Sequence, residues 1–158
     1  MRMLSAADRE AYINRLEVLP DQLDALIAHA TDAQLLNPYK PDGWNSRQVV
    51  HHLADSHMNA YIRSKLILTE ENPPLKPYNQ DAWAILPDGN TGPLATSLSI
   101  LRGLHARWGA FFRALPEEAW TRSGLHPENG SMTLESILVS YTNHGETHLG
   151  HIRLGLGL

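Results

Sequence analysis

Residues 45–63 read Asn-Ser-Arg-Gln-Val-Val-His-His-Leu-Ala-Asp-Ser-His-Met-Asn-Ala-Tyr-Ile-Arg, and this stretch decides the fold. Its apolar residues recur at steps of three and four, which is the period of a helix with one buried face. Asn45 is followed three residues later by Gln48, a pair that resembles a capping box with Asn in place of Ser or Thr. The pattern predicts a long helix from about Asn45 to Glu70, ending before Pro73.

The same period predicts a long helix on each side of this stretch. The first begins at a Ser5 cap and reaches Ala30, with a break or kink expected at Pro20 because proline cannot donate a backbone hydrogen bond. The other covers residues 93–115 and carries leucine and aromatic side chains at helical spacing. His105 is expected to lie outside that apolar stripe, so this helix is predicted to be purely structural.

A fourth long helix is predicted to begin after a Thr133 cap. The dipeptide Asn129-Gly130 predicts a small β-hairpin over residues 121–132, and residues 72–91 are predicted to form a long loop. Four amphipathic helices indicate an all-α four-helix bundle. A length of 158 residues is most simply one domain, residues 1–158.

Composition excludes several classes of function. Lys and Arg number 13 against 17 Asp and Glu, for a net charge of −4, which argues against nucleic acid as a partner. No apolar run approaches the roughly 18 residues of a membrane span, and early charged residues argue against a signal peptide, so we expect a cytoplasmic protein. Cysteine is absent, which excludes disulfides and thiolate zinc sites. Metal ligands must therefore be His, Asp, Glu or backbone groups.

His144 and His148 stand four residues apart on the predicted fourth helix, one above the other on the same face. Two neutral imidazoles at this spacing can share one metal ion. They continue the apolar line of Ile137 and Tyr141, so burial of that line also buries the imidazoles, which then need polar partners. Two histidines at this spacing, with no further histidines nearby, are more often a surface feature or a hydrogen-bonded core feature than a metal site.

A second group, His51, His52 and His57, lies on the predicted second helix. His51 and His52 differ by roughly 100° around a helix, so the two cannot face the same point. His52 lies on a polar stripe with Asn59 and is therefore the predicted ligand. Asp55 is predicted to lie beside it and to orient it. Two histidine groups on two helices predict a three-histidine metal centre.

Glu146 lies between the two histidines of the fourth helix, but the spacing differs from the His-Glu-x-x-His motif of zinc proteases. It is two residues from His144 and from His148, which places it roughly 160–200° around the helix from both. Glu146 is therefore predicted to point away from the metal, and a protease-style general base is not expected.

The chain resembles the YfiT-like branch of the DinB superfamily along nearly its whole length. The matching segments are residues 43–63, Lys76-Pro-Tyr, Ala82-Trp83, Leu104-His-x-Arg-Trp108, His126-Pro127 and His144-x-x-x-His148-x-x-His-Ile152. The resemblance implies an up-down-down-up four-helix bundle that forms a homodimer. It also implies a divalent metal, nickel or zinc, on His52, His144 and His148, with His151 close to the ligands but not one of them.

Three activities follow from these features. Three histidines leave open positions on a zinc or nickel ion, as in catalytic sites. The resemblance favours an enzyme that transfers a low-molecular-weight thiol such as bacillithiol to a small-molecule electrophile. The first alternative is a hydrolase that acts through metal-bound hydroxide, and the second is a non-catalytic metal-binding bundle. The residues predicted to bind substrate, from the polar stripe and the neighbouring loop, are Asn59, Arg63, Lys76 and Tyr78.

Overall fold

The computed structural model describes residues 3–158, in which long helices form a four-helix bundle. The helices are, in chain order, α1 (Ala6–Ile27), α2 (Asp32–Leu35), α3 (Ser46–Thr69), α4 (Gln80–Ala84), α5 (Pro87–Asn90), α6 (Leu94–Arg113) and α7 (Leu134–Leu156). A 3₁₀ turn, Glu117–Thr121, and an antiparallel hairpin of β1 (Ser123–His126) and β2 (Gly130–Thr133) connect α6 to α7. The bundle itself consists of α1, α3, α6 and α7.

Contacts between the long helices give their directions. The contacting pairs are Arg9 with Glu135 and Arg15 with Glu146 on α1 and α7, His51 with Ser97 and Ser64 with Trp108 on α3 and α6, and Arg102 with Asp24 and Arg113 with Glu10 on α6 and α1. Helices α1 and α7 therefore run in one direction, and α3 and α6 run in the other. This confirms the up-down-down-up bundle.

The start of α3 is fixed by its first residues. The Asn45 side chain accepts a hydrogen bond from the backbone N–H of Gln48 at 2.9 Å, and the Gln48 side chain accepts from the backbone N–H of Asn45 at 3.1 Å. The predicted capping box is thus confirmed despite the asparagine. Because the cap fixes where the helix begins, it also fixes which α3 residues face α7.

A polar layer of histidines divides the apolar core into two clusters. One cluster is built around Trp108, Phe112 and Ile137, and the other around Leu23 and Val49. Between them lie imidazoles from three helices, namely His52, His57, His105, His144 and His148. Buried polar groups need partners, so this layer marks the place in the bundle where chemistry is expected.

Of the break or kink predicted at Pro20, the break is wrong, because α1 continues through this residue, and a kink stays a prediction. A proline inside a helix leaves the carbonyl four residues earlier without its backbone donor, at a cost of about 3 kcal/mol. Here that carbonyl belongs to Leu16, and it accepts a hydrogen bond from His105 Nδ1 at 2.6 Å. Leu19 and Leu23 are also buried on the same helix, so tertiary contacts offset the cost of the proline.

The predicted hairpin is confirmed, with the turn closed by Gly130 at a φ of 71°. The predicted loop over residues 72–91 is wrong in part, because it contains α4 and α5. Asn79 caps α4 by accepting from the N–H of Ala82 at 2.9 Å, and Pro87 begins α5. Within residues 3–158, no helix combines the length and the apolar character that crossing a bilayer requires.

Candidate metal centre

Three imidazoles meet where α3 and α7 cross the polar layer. His144 Nε2 lies 3.3 Å from His52 Nε2 and 3.1 Å from His148 Nε2, and the three available nitrogen atoms all lie within 4.8 Å of one another. Nitrogen ligands about 2.0–2.1 Å from a tetrahedral zinc ion are separated by roughly 3.3–3.4 Å. The spacing of the imidazoles therefore fits the donor set of one shared ion.

The three imidazoles are neutral at physiological pH. Burial lowers the pKa of His52, His144 and His148 to about 3 each, and the charge of a neighbouring imidazole lowers it further in each case. A neutral imidazole keeps a lone pair on one ring nitrogen, which is the form that binds metal ions. The burial that makes these side chains poor bases thus keeps them ready as ligands.

A chain of hydrogen bonds runs from His144 to the backbone of α1. His144 Nδ1 lies 3.2 Å from His57 Nε2, and His57 Nδ1 lies 2.9 Å from His105 Nε2. His105 Nδ1 lies 2.6 Å from the carbonyl oxygen of Leu16. That oxygen can only accept, so His105 donates from Nδ1. Since a neutral imidazole carries one N–H, His57 and His144 must also donate from Nδ1.

The direction of these hydrogen bonds decides which ring nitrogen of His144 carries the lone pair. Burial lowers the pKa of His105 to about 4 and holds that of His57 well below its ordinary value, so both rings are neutral. His144 then carries its proton on Nδ1 and its lone pair on Nε2, the atom that faces His52 and His148. Because Pro20 has no backbone N–H, the Leu16 carbonyl is free to accept the last hydrogen bond of the series, from His105.

Asp55 was predicted to orient His52, and His151 was predicted to lie close to the ligands. His151 Nδ1 lies 3.2 Å from His148 Nδ1, and its ring stacks on Tyr39 with centroids 4.1 Å apart. The side chain of Asp55, by contrast, makes no hydrogen bond to a histidine within residues 3–158. Burial, followed by the nearby charge of Asp88, raises the Asp55 pKa to about 6. An orienting role of either residue stays a prediction.

His51 and Glu146 both point away from the three imidazoles. His51 Nε2 lies 3.1 Å from the carbonyl oxygen of Gly92, and its Nδ1 lies 2.8 Å from Ser97 Oγ. Glu146 accepts two hydrogen bonds from Arg15, at 2.7 and 2.6 Å, on the exposed side of α7. The preference for His52 over His51 agrees with this geometry, and the predicted outward orientation of Glu146 is confirmed.

Two cavities are lined in part by the histidines. The larger, of about 950 Å³, is bordered by His144 and Tyr141, and the smaller, of about 370 Å³, by His52 and His148. His144 and Gln80 border both cavities. The three imidazoles therefore border two spaces, each large enough for part of a small organic molecule.

The residues predicted to bind substrate fall into two groups. Arg63 and Tyr78 border the larger cavity. Asn59 instead donates from its side chain to the backbone carbonyl of Asp55 at 2.9 Å. The Lys76 side chain is exposed, and its backbone carbonyl accepts from Arg63 at 2.6 Å. Contact with a substrate stays a prediction for all four.

The expectation that His105 lies outside the apolar stripe is wrong. It falls in step with Leu101, Trp108 and Phe112 on the buried face of α6, and none of it is exposed to solvent. Its contact with His57 connects α6 to the layer of histidines. A histidine in register with buried leucines was the available signal, since such a ring needs a partner inside the protein.

Three comparisons place the chain among known proteins. The DinB superfamily model matches residues 15–152. A Bacillus subtilis protein named "Putative metal-dependent hydrolase YfiT" is 44% identical over 150 residues, which cover 94% of this chain and 84% of that protein. An Oceanobacillus iheyensis protein with the same functional description is 46% identical over 141 residues, covering 89% of this chain and 81% of its own.

The solved structure of Bacillus subtilis YfiT, described as a "probable metal-dependent hydrolase with an unusual four-helix bundle topology", superposes with a TM-score of 0.93. It is 43% identical in sequence, and the match covers 96% of this chain and 87% of YfiT. Sequence, fold and the order of the helices thus agree along nearly the whole chain. The chain belongs to the DinB superfamily, as a YfiT-like member.

Proposed function

We propose that this chain is a metal-dependent enzyme that transfers a low-molecular-weight thiol to a small-molecule electrophile. His52, His144 and His148 would hold a divalent ion, zinc or nickel, for which imidazole is a suitable ligand. Such an ion, with three protein ligands and an open position, lowers the pKa of an acidic molecule that binds there. The relatives named for metal dependence support the metal part of this proposal.

The observation that carries the thiol-transfer proposal is the pair of cavities that meet at His144. Transfer of a thiol needs two organic reactants, whereas hydrolysis needs one and a water molecule. In the transfer, a sulfur–carbon bond forms, the bond from that carbon to its leaving group breaks, and the thiol proton leaves with the leaving group. Two spaces that share His144 as a lining residue would allow the two reactants to approach each other there.

The protein's own residues would hold the site in one arrangement. The hydrogen bonds through His57 and His105 keep the Nε2 lone pair of His144 directed at the other two ligands. The ring of Trp44 packs on His52 with centroids 4.6 Å apart and shields it on one side. Such preorganisation removes the need to reorient the ligands during the reaction.

Hydrolysis is the second candidate, and the functional description shared by the relatives favours it. The test loads purified protein with zinc or nickel and measures thiol consumption with an activated aryl halide, across a panel of small thiols. In parallel it measures cleavage of activated esters. Loss of thiol that needs metal and fails in His144→Ala supports transfer, whereas ester cleavage without thiol transfer supports hydrolysis.

One further outcome of this experiment and a separate mass measurement bear on the remaining expectations. If neither reaction is detected while chelation lowers the melting temperature, the metal serves the fold only. We also propose a homodimer, from the family resemblance, and light scattering of the metal-loaded protein measures its mass directly.

A further inference from the structure

Arg63 is a buried cation whose hydrogen-bond partners within residues 3–158 are all neutral. It is 6% exposed. One terminal nitrogen donates to the Tyr141 hydroxyl at 3.2 Å, and the other donates to the backbone carbonyl of Lys76 at 2.6 Å. Within residues 3–158, no carboxylate forms an ion pair with it. Its guanidinium group has five N–H bonds, so these two contacts leave donors unused.

Arg9 shows how the same chain treats a comparably buried arginine. It is 3% exposed and donates to the Glu117 carboxylate at 2.9 and 2.8 Å and to Glu135 at 3.0 Å. Burial of a charged group costs several kcal/mol unless an opposite charge and hydrogen bonds compensate. Arg9 has this compensation within the protein, and Arg63 does not. No residue of 3–158 supplies an opposite charge to Arg63, so an anion in the cavity that it borders would compensate this charge.

The position of Arg63 indicates where such a partner binds. Arg63 borders the larger cavity, which also reaches His144. Tyr141 links the two, because its hydroxyl accepts from Arg63 and its ring lies 5.7 Å from the His144 ring. The guanidinium group and the histidines are thus about one tyrosine side chain apart. Glu128 also borders this cavity but is exposed and forms no ion pair with Arg63.

We infer that Arg63 binds a carboxylate of the small molecule that occupies the larger cavity, several bonds away from the group that reacts at the histidines. A guanidinium fork and a carboxylate match in two parallel hydrogen bonds, which gives orientation as well as affinity. This inference rests on the proposed function for the reactive end of the molecule. It adds a substrate class, namely small thiols that carry a carboxylate.

The test compares two thiols of equal length on the metal-loaded protein, 6-mercaptohexanoate and 6-mercapto-1-hexanol, by calorimetric titration. Hydrogen bonds to charged groups contribute about 1.5–3 kcal/mol, so the carboxylate thiol is expected to bind at least about tenfold more tightly. In Arg63→Gln the preference for the carboxylate thiol over the alcohol is expected to disappear. Arg63→Lys retains the charge but lacks the fork, and an intermediate preference is expected.

Arg107→Gln is the matched control, since Arg107 is exposed on α6 and the change removes the same charge. It should keep the full preference for the carboxylate thiol. The comparison of the two thiols on the unaltered protein needs no variant, so it stands even if Arg63→Gln fails to fold. Equal affinity of the unaltered protein for both thiols would overturn the inference.

Hexanoate, which has no thiol, separates this inference from the proposed function. If it binds in an Arg63-dependent way while neither thiol reacts, the anion site stands and thiol transfer fails. If thiols react without any preference for a carboxylate, thiol transfer stands and the anion site fails. Absence of hexanoate binding together with equal thiol affinities also rejects the anion site.

Discussion

Replacement of His57 by phenylalanine tests whether the buried histidine chain controls the metal ligands. The variant keeps a ring of similar shape but removes the acceptor for His144 Nδ1–H and the donor to His105 Nε2. Partners that hydrogen-bond a ligating histidine typically contribute 10–100-fold to metal affinity. We therefore expect His57→Phe to bind zinc about 10–100-fold more weakly, although His57 is not itself a predicted ligand.

The same change also lowers stability, and the size of that loss follows from the groups left without partners. Each buried polar group that loses its hydrogen bond costs about 1–3 kcal/mol. His57→Phe leaves two such groups, so the free energy of unfolding of the metal-free protein should fall by about 2–6 kcal/mol. Denaturant titration in the presence of a chelator measures this fall.

His51→Phe is the matched control for this experiment. His51 lies on the same helix, is also buried, and likewise bonds two groups, Ser97 Oγ and the Gly92 carbonyl, but it contacts none of the three imidazoles. The two variants should lose similar stability, and only His57→Phe should lose metal affinity, measured by competition with a chromophoric chelator. Equal affinities in the two variants would refute the role of the histidine chain.

Three further predictions concern acid, metal removal and Glu146. The pKa of buried His105 is lowered from 6.5 to about 4, so the unfolded chain binds more protons between these values, and stability falls as the pH falls. Between pH 7 and pH 5, protonation of this histidine alone should lower the free energy of unfolding by about 2 kcal/mol. Thermal denaturation at the two pH values should show a smaller loss of stability in His105→Gln than in the unaltered protein. Metal at 100 times its dissociation constant stabilises the folded protein by about 2.7 kcal/mol. Chelation should therefore lower the melting temperature by about 5–10 °C. An unchanged melting temperature would exclude metal bound to the native state. Glu146→Gln removes an exposed ion pair with Arg15, so the free energy of unfolding should change by less than about 1 kcal/mol. The metal content should be unaltered, and loss of metal would contradict the outward orientation of Glu146.

Most of the bundle and the three histidines that meet in it could be predicted from the sequence, because both depend on helical periodicity. The four-residue spacing of His144 and His148 places them on one face whatever surrounds them. The choice of His52 over His51 needed only the angle between neighbouring residues of a helix and the polar stripe that His52 continues. Caps at Asn45 and Thr133 located the helix starts because side-chain to backbone hydrogen bonds are local.

What the sequence did not predict depends on contacts between helices. Pro20 was expected to break α1, because nothing local shows that His105 of another helix replaces the missing donor at the Leu16 carbonyl. His57 and His105 were not recognised as neighbours of the site for the same reason. The unpaired charge of Arg63 is visible only once the distances to every carboxylate are known. The short helices within residues 72–91 were missed because α4 has a single capping residue, Asn79, and α5 has no side-chain cap, inside a proline-rich segment.

The metal content of purified protein tests the central claim most directly. Elemental analysis should find close to one zinc or nickel ion per chain in the unaltered protein and in His51→Ala. It should find almost none in His52→Ala, His144→Ala or His148→Ala, provided that circular dichroism shows each variant folded. Equal metal in the unaltered protein and in a His144→Ala, His148→Ala double variant would contradict the three-histidine centre.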